Sequence, residues 1–145
     1  MPMSSPMKSH TISIRVYYED TDAGGIVYHA SYLKFAERGR TESLRVEGFD
    51  HQRILRDFNI ILIVKHIEID YRAPSRLDDL LEVRTSVSAL GNASLTMEQT
   101  IARENKELAA LKVVIVAVEP EGRPVRIPPQ LRQIFAASLP DQGQH

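Results

Sequence analysis

Hydrophobic and polar residues change their spacing several times along this chain, and each spacing predicts an element. Residues 11–18 set Ile12, Ile14 and Val16 against Thr11, Ser13 and Arg15, the two-residue period of a half-buried strand. Over residues 30–46 the period lengthens. Leu33, Ala36, Arg40 and Leu44 share one side, and Tyr32, Phe35, Ala36, Gly39, Ser43 and Val46 form an overlapping stripe, which predicts one helix of about four turns. Gly48 follows as its C-cap. Gly39 sits inside the stripe, where glycine costs up to about 1 kcal/mol relative to alanine, so it points to a close approach by another surface.

A short segment at residues 51–57 precedes four strand-like runs. Residues 59–72 begin as a continuous apolar run and become alternating, with Ile67, Ile69 and Tyr71 on one face and His66, Glu68, Asp70 and Arg72 on the other. Leu81, Val83, Thr85, Val87 and Ala89 alternate next, and Gly91-Asn92 reads as a hairpin turn into Leu95, Met97, Gln99 and Ile101. After a turn at residues 103–106, residues 108–118 are apolar on both faces apart from Lys112, as in an interior strand. Pro128-Pro129 opens a last short helix with Leu131, Ile134 and Phe135 on one face. The prediction is an α+β fold, an antiparallel sheet covered on one face by a helix, its other face left for a partner subunit.

Composition narrows the function classes. The 145 residues, 43% hydrophobic and 26% charged, suit one domain, placed at residues 11–138 between flexible tails at 1–10 and 139–145. A net charge of -1 with scattered basic residues argues against a nucleic-acid partner. Without cysteine there is no thiolate metal site or cysteine nucleophile, and no His-x-x-x-His pair occurs, so no metal site is expected. The first ten residues hold one lysine and no apolar core of a secretory signal, and no apolar run approaches the roughly 20 residues that span a bilayer. A soluble cytoplasmic protein is expected.

Candidate chemistry gathers between the first strand and the helix, in Tyr17-Tyr18-Glu19-Asp20-Thr21-Asp22-Ala23-Gly24-Gly25-Ile26-Val27-Tyr28-His29-Ala30-Ser31-Tyr32. Asp22 follows a strand, precedes two glycines and lies just before a helix start, so its carboxylate is placed to take a proton or attack a carbonyl carbon. The same spacing also describes an Asx turn that merely stabilises the loop. Glu19 and Asp20 have weaker cases. His29 stands at the first helical turn, where its backbone N–H could point at an oxygen ligand and its ring could shuttle a proton; an exposed histidine without a role fits equally. Tyr18 and Tyr28 could supply hydroxyls or simply pack. Arg38 and Glu42 are spaced for an i,i+4 pair on a solvated face. Lys65, Arg72 and Arg76 could meet cofactor phosphates, though scattered basic residues are usually just solvated, and the row His66, Glu68, Asp70, Arg72 could line a groove, which an exposed sheet face or a subunit rim explains equally well. No G-x-x-x-x-G-K-[ST], G-x-G-x-x-G or G-x-S-x-G is present.

Taken together, that run, its continuation Phe35-Ala36-Glu37-Arg38-Gly39-Arg40-Thr41-Glu42, the segment Tyr71-Arg72-Ala73-Pro74-Ser75-Arg76-Leu77-Asp78-Asp79 and the Ile127-Pro128-Pro129 turn closely resemble the hotdog-fold acyl-CoA thioesterases of the YbgC type. These are associated with the bacterial Tol-Pal system and related to hydroxybenzoyl-CoA thioesterase. The resemblance covers roughly residues 12–136. It implies a five-stranded antiparallel sheet wrapped around one long helix, and a homodimer or homotetramer with acyl-CoA sites at the subunit interface. It carries the catalytic aspartate onto Asp22, assisting roles onto Tyr18 and His29, and a carbonyl-polarising N–H onto the helix start near His29. It implies acyl-CoA as substrate and no cofactor. It leaves room for association with Tol-Pal or phospholipid-synthesis proteins and a peripheral place at the inner membrane. Two rival functions are a hotdog dehydratase acting on hydroxyacyl thioesters and an acyl-thioester-binding scaffold with incidental activity.

Overall fold

The computed structural model describes residues 9–140; residues 1–8 and 141–145, where most of both expected tails fall, lie outside the described residues. The elements run β1 (His10–Arg15), α1 (Ser31–Arg45), α2 (His51–Phe58), β2 (Ile61–Tyr71), β3 (Leu80–Leu90), β4 (Ser94–Arg103), β5 (Lys106–Val118) and α3 (Pro129–Ser138). The strands form one antiparallel sheet in the order β1-β3-β4-β5-β2. This is the α+β arrangement the periodicity predicts, with α1 lying across one face against β1, β3 and β4.

Small residues on α1 let it sit close. A Cβ built on Gly39 would come within 2.7 Å of Val83 Cγ1 and 2.9 Å of Thr85 Oγ1, so the glycine is a packing requirement. Beneath it lies Gln99, the one polar member of the inward row of β4 and only 1% exposed. Its amide donates to Ala36 O at 2.8 Å and Thr85 Oγ1 at 2.9 Å, and its oxygen accepts from Arg40 Nη1 at 3.0 Å. Every arm of this buried amide is bonded to a helix or strand group, which avoids the cost of an unsatisfied polar side chain. Gly48, with φ of 93°, closes α1 as expected. Gly48 N–H donates to Arg45 O and Phe49 N–H to Leu44 O, the paired bonds of a Schellman cap.

Four expectations need correction. Residues 51–58 form the helix α2, capped by the Asp50 side chain on Arg53 N–H at 2.8 Å and ended by Asn59 in the left-handed region. Eight residues give too few repeats for the period to be read, and the caps carry the signal instead. Strand β1 stops at Arg15, and Tyr18–Asp20 make a 3-10 turn. Glu42 pairs with Arg45 at 3.3 Å, the i,i+3 neighbour, rather than with Arg38. Val46 keeps the expected helix face yet is 64% exposed, because that face ends over a cavity of about 310 Å³ between α1, β3 and α3.

The change of pattern inside β2 is a β-bulge. Val64 faces Ile115 and His66 faces Val114, so Lys65 is an extra residue between them. Leu62 and Val64 share a face before the bulge; Ile67, Ile69 and Tyr71 take that face after it. Strand β2 is an edge, and Ile61, Ile63 and Val64 are exposed along it. At the other side of the sheet β1 pairs with β3 only as far as Thr85. Helix α3 packs on β3 beyond that point, and Ser138 Oγ accepts from Val87 N–H at 2.9 Å.

Candidate active site

The loop carrying Asp22 is folded by its own backbone. Asp22 N–H donates to Ile26 O at 2.9 Å and Gly25 N–H to Asp22 O at 3.1 Å, and Gly25 takes φ of 78°, a conformation that favours glycine. Asp22 is exposed, and its Oδ1 accepts from Gly24 N–H at 2.9 Å and Ile26 N–H at 3.4 Å. The Asx turn is therefore present, and it occupies one oxygen only. Among the described residues no donor reaches Oδ2.

A second segment, residues 73–79, is zipped along this loop. Val27 N–H donates to Ser75 O at 2.8 Å, Leu77 N–H to Gly25 O at 3.1 Å, and Val16 and Asp78–Asp79 exchange bonds of 2.9 and 3.0 Å. Fully buried Ser75 shares a 2.6 Å hydrogen bond with Tyr32 Oη on α1. Asp79 closes the segment by accepting from Arg76 N–H and Arg103 Nη1, both at 2.8 Å. Burial pushes the Asp79 carboxyl up, but the Arg76 N–H and the Arg103 guanidinium outweigh it and hold it below its ordinary value.

The start of α1 is organised from beneath by Asp20, which is 2% exposed. Its carbonyl accepts from Tyr28 N–H at 2.9 Å and Ser31 Oγ at 3.1 Å, and its Oδ2 accepts from Tyr17 N–H at 2.9 Å. Oδ1 has no hydrogen-bond partner among the described residues; Lys34 Nζ stands 4.0 Å away. Ser31 N–H turns back to Tyr28 O at 2.8 Å. That leaves two consecutive N–H groups at the helix start, those of His29 and Ala30, with no acceptor among the described residues. Unfilled donors at the positive end of a helix are suited to an oxygen bearing negative charge.

Glu19, Thr21 and Asp22 from the loop and Ala30, Ser31 and Lys34 from the helix line a single open cavity of about 480 Å³. Tyr18 and His29 stand apart from it. Tyr18 is 81% exposed, and no hydrogen bond among the described residues links its hydroxyl to Asp22 or His29. The exposed His29 ring lies against Tyr28, centroids 4.4 Å apart, and meets Tyr71 edge-on at 6.2 Å, without a bond to Asp22. Tyr28 borders the cavity. The row on β2 is solvated: His66 pairs with Glu68 at 3.2 Å, and Arg72 is engaged by Glu107 and Asp70. Among the described residues no three His, Asp or Glu side chains converge as a metal site would require.

Sequence reasoning gives none of the groups that hold this site its role. Asp20 reads as a weaker catalytic candidate, Ser75 as part of a segment of family resemblance and Tyr71 as one member of an alternating strand. For the last two only partners across the fold give the role: Tyr71 Oη donates to His29 O, 42 residues away, at 2.8 Å, and Ser75 reaches Tyr32 over 43.

Comparison with known proteins agrees with this arrangement. Residues 16–135 match the model of the thioesterase-like superfamily. The Haemophilus influenzae protein named acyl-CoA thioesterase YbgC is 43% identical over 123 residues, 84% of this chain and 90% of that protein. An Escherichia coli acyl-CoA thioester hydrolase YbgC is 45% identical over 108 residues, 74% of this chain and 80% of its own length. The crystal structure of a probable thioesterase from Bartonella henselae superposes with a TM-score of 0.80 at 40% identity, covering 83% of this chain and all of that one. With its sheet order, its single long helix and its matched length in accord, the chain belongs to the thioesterase-like superfamily of hotdog proteins.

Proposed function

We propose that this protein hydrolyses acyl-CoA thioesters to a carboxylic acid and free CoA, with Asp22 as the reacting carboxylate. The observation that carries the reading is the shared cavity: Asp22 and Ala30, whose N–H is unfilled at the start of α1, border one space. The relatives named as acyl-CoA thioesterases support the substrate class. A thioester oxygen at the helix start would accept hydrogen bonds from N–H groups whose direction is set before reaction, so the charge that develops on it is stabilised without reorganisation. Asp22 then acts in one of two ways. It attacks the carbonyl carbon to give a mixed anhydride, expelling CoA thiolate, and water hydrolyses the anhydride; or it takes a proton from a water that attacks directly. Both routes end in the acid, protonated CoA thiol and a regenerated carboxylate. The roles of His29 and Tyr18 in orienting water or thioester rest on the family resemblance, and both side chains are exposed at the site's margin.

The exposed apolar edge of β2 supports assembly into a homodimer by edge pairing, with a homotetramer as the next level. No helix among the described residues is long and apolar enough to cross a membrane. An association with Tol-Pal or phospholipid-synthesis proteins and a peripheral place at the inner membrane follow from the family resemblance, and co-purification with tagged Tol-Pal components tests the former.

The decisive experiment is thiol release across acetyl, medium-chain, long-chain and aromatic CoA thioesters. Saturable turnover is expected. Binding without thiol release across the panel would turn the reading toward an acyl-CoA-binding scaffold. Hydrolysis in ¹⁸O-labelled water under single-turnover conditions tests the anhydride route, since label in the Asp22 carboxylate arises only when water attacks the aspartyl carbonyl of that intermediate.

A further inference from the structure

Tyr71, the last residue of β2, donates its hydroxyl to His29 O at 2.8 Å. The same carbonyl accepts a longer 3.3 Å bond from Tyr32 N–H, so the phenol is its closer hold. The Tyr71 ring also meets those of His29 and Tyr32 edge-on, centroids 6.2 and 5.5 Å away. The carbonyl of His29 and the N–H of Ala30 belong to one peptide unit. That unit is planar and trans, so its C=O and N–H point in opposite directions, and holding one fixes the other. Ala30 borders the Asp22 cavity, and its N–H has no acceptor among the described residues.

We propose that Tyr71 is a positioning residue for thioester hydrolysis, its hydroxyl holding the His29–Ala30 peptide so that the Ala30 N–H stays directed at the thioester oxygen. This rests on the thioesterase reading and adds to it both a particular donor and the group that aims it. A donor polarises a carbonyl well only if its direction is fixed before charge develops, because a peptide free to rock loses stabilisation where it is most needed. Burial, and then the neighbouring Tyr32, push the Tyr71 phenol above its usual value, so it remains a donor throughout the neutral range. Nearly half of the residue is exposed, so water is within reach of this side chain, yet its hydroxyl is bonded to the helix start.

Tyr71→Phe keeps the ring and removes the hydroxyl. With the acyl-CoA that the enzyme turns over fastest, kcat is expected to fall about tenfold, equivalent to about 1.4 kcal/mol of transition-state stabilisation, while KM changes less than about twofold. The infrared band of the thioester carbonyl, read for the same acyl-CoA bound to Asp22→Asn, should shift less on binding when Tyr71→Phe is added. Ile69→Val serves as the packing control, since it loosens the same face of β2 and leaves the His29 bond intact; its kcat should stay near that of the parent. Unchanged kcat and an unchanged carbonyl band in Tyr71→Phe would overturn the proposal, as would an equal loss in Ile69→Val. Near-normal turnover by Asp22→Asn alone is a separate result, which removes the carboxylate assignment and is read without reference to Tyr71.

Discussion

A carboxylate that accepts two loop N–H groups through one oxygen is held still without being used up. In Asp22 the turn and the proposed chemistry coexist, because Oδ1 builds the turn and Oδ2 keeps its lone pairs. Asp22→Asn preserves the shape and one acceptor, so it should fold and bind acyl-CoA while losing on the order of a hundredfold or more in turnover. Steady-state thiol release together with a binding isotherm checks both halves. Asp79 gives a second prediction at this scale. Its carboxyl is held low by Arg76 N–H and Arg103 against the opposing effect of burial, so its stabilisation is complete above the ordinary aspartate value of about 3.9 and is lost as pH falls through its lower folded value. Denaturant midpoints between pH 7 and 3 should therefore drop more steeply for the parent than for Asp79→Asn, which is already weaker at pH 7. Residues of this supporting kind were illegible in the sequence. The resemblance names roles for Asp22 and His29, whereas Tyr71, Ser75 and Asp79 lie in a segment that shares it but gain their roles through bonds to His29, Tyr32 and Arg103, 24 to 43 residues distant, which no local pattern encodes.

Among the elements, legibility followed length. The long helix and the three hairpin-linked strands show several repeats of their period, and the structure has them within a few residues of the predicted bounds. Helix α2 shows only two turns and is specified by its caps, Asp50 and Asn59. Gly39 is where a local oddity did carry tertiary information: an unfavourable helix residue marked the place where α1 touches the sheet. Gly39→Ala should improve helix propensity and still destabilise the protein by about 1–3 kcal/mol, because its Cβ would overlap Val83 and Thr85. Thermal unfolding monitored by circular dichroism measures the net. A rise in melting temperature would mean that the sheet yields to the added methyl.

At the scale of the whole molecule, the outer sheet face carries a ladder of charges and the β2 edge an apolar run. On the sheet face turned away from α1, Glu68, Lys112 and Glu98 stand opposite one another across three strands, all exposed and alternating in sign. The β2 edge carries a run of exposed apolar side chains, Ile61, Ile63 and Val64. If that edge joins two copies, Ile63→Lys should shift the protein toward monomer in sedimentation velocity, with activity falling alongside if the site is completed across the junction. Strand β2 thus serves an edge at one end and the helix start at the other, and Lys65 lies between them. An alternating strand has parity, and the extra residue at the bulge reverses it. Removing Lys65 would leave Val64 opposite Ile115 and His66 opposite Val114, a regular ladder in which Ile67, Ile69 and Tyr71 keep the face they have now. The spacing between assembly edge and active site is thus counted in odd and even residues rather than in ångströms: loss of a paired residue such as Glu68 would turn the side chains beyond it to the other face, so it should be tolerated far less than loss of the unpaired Lys65.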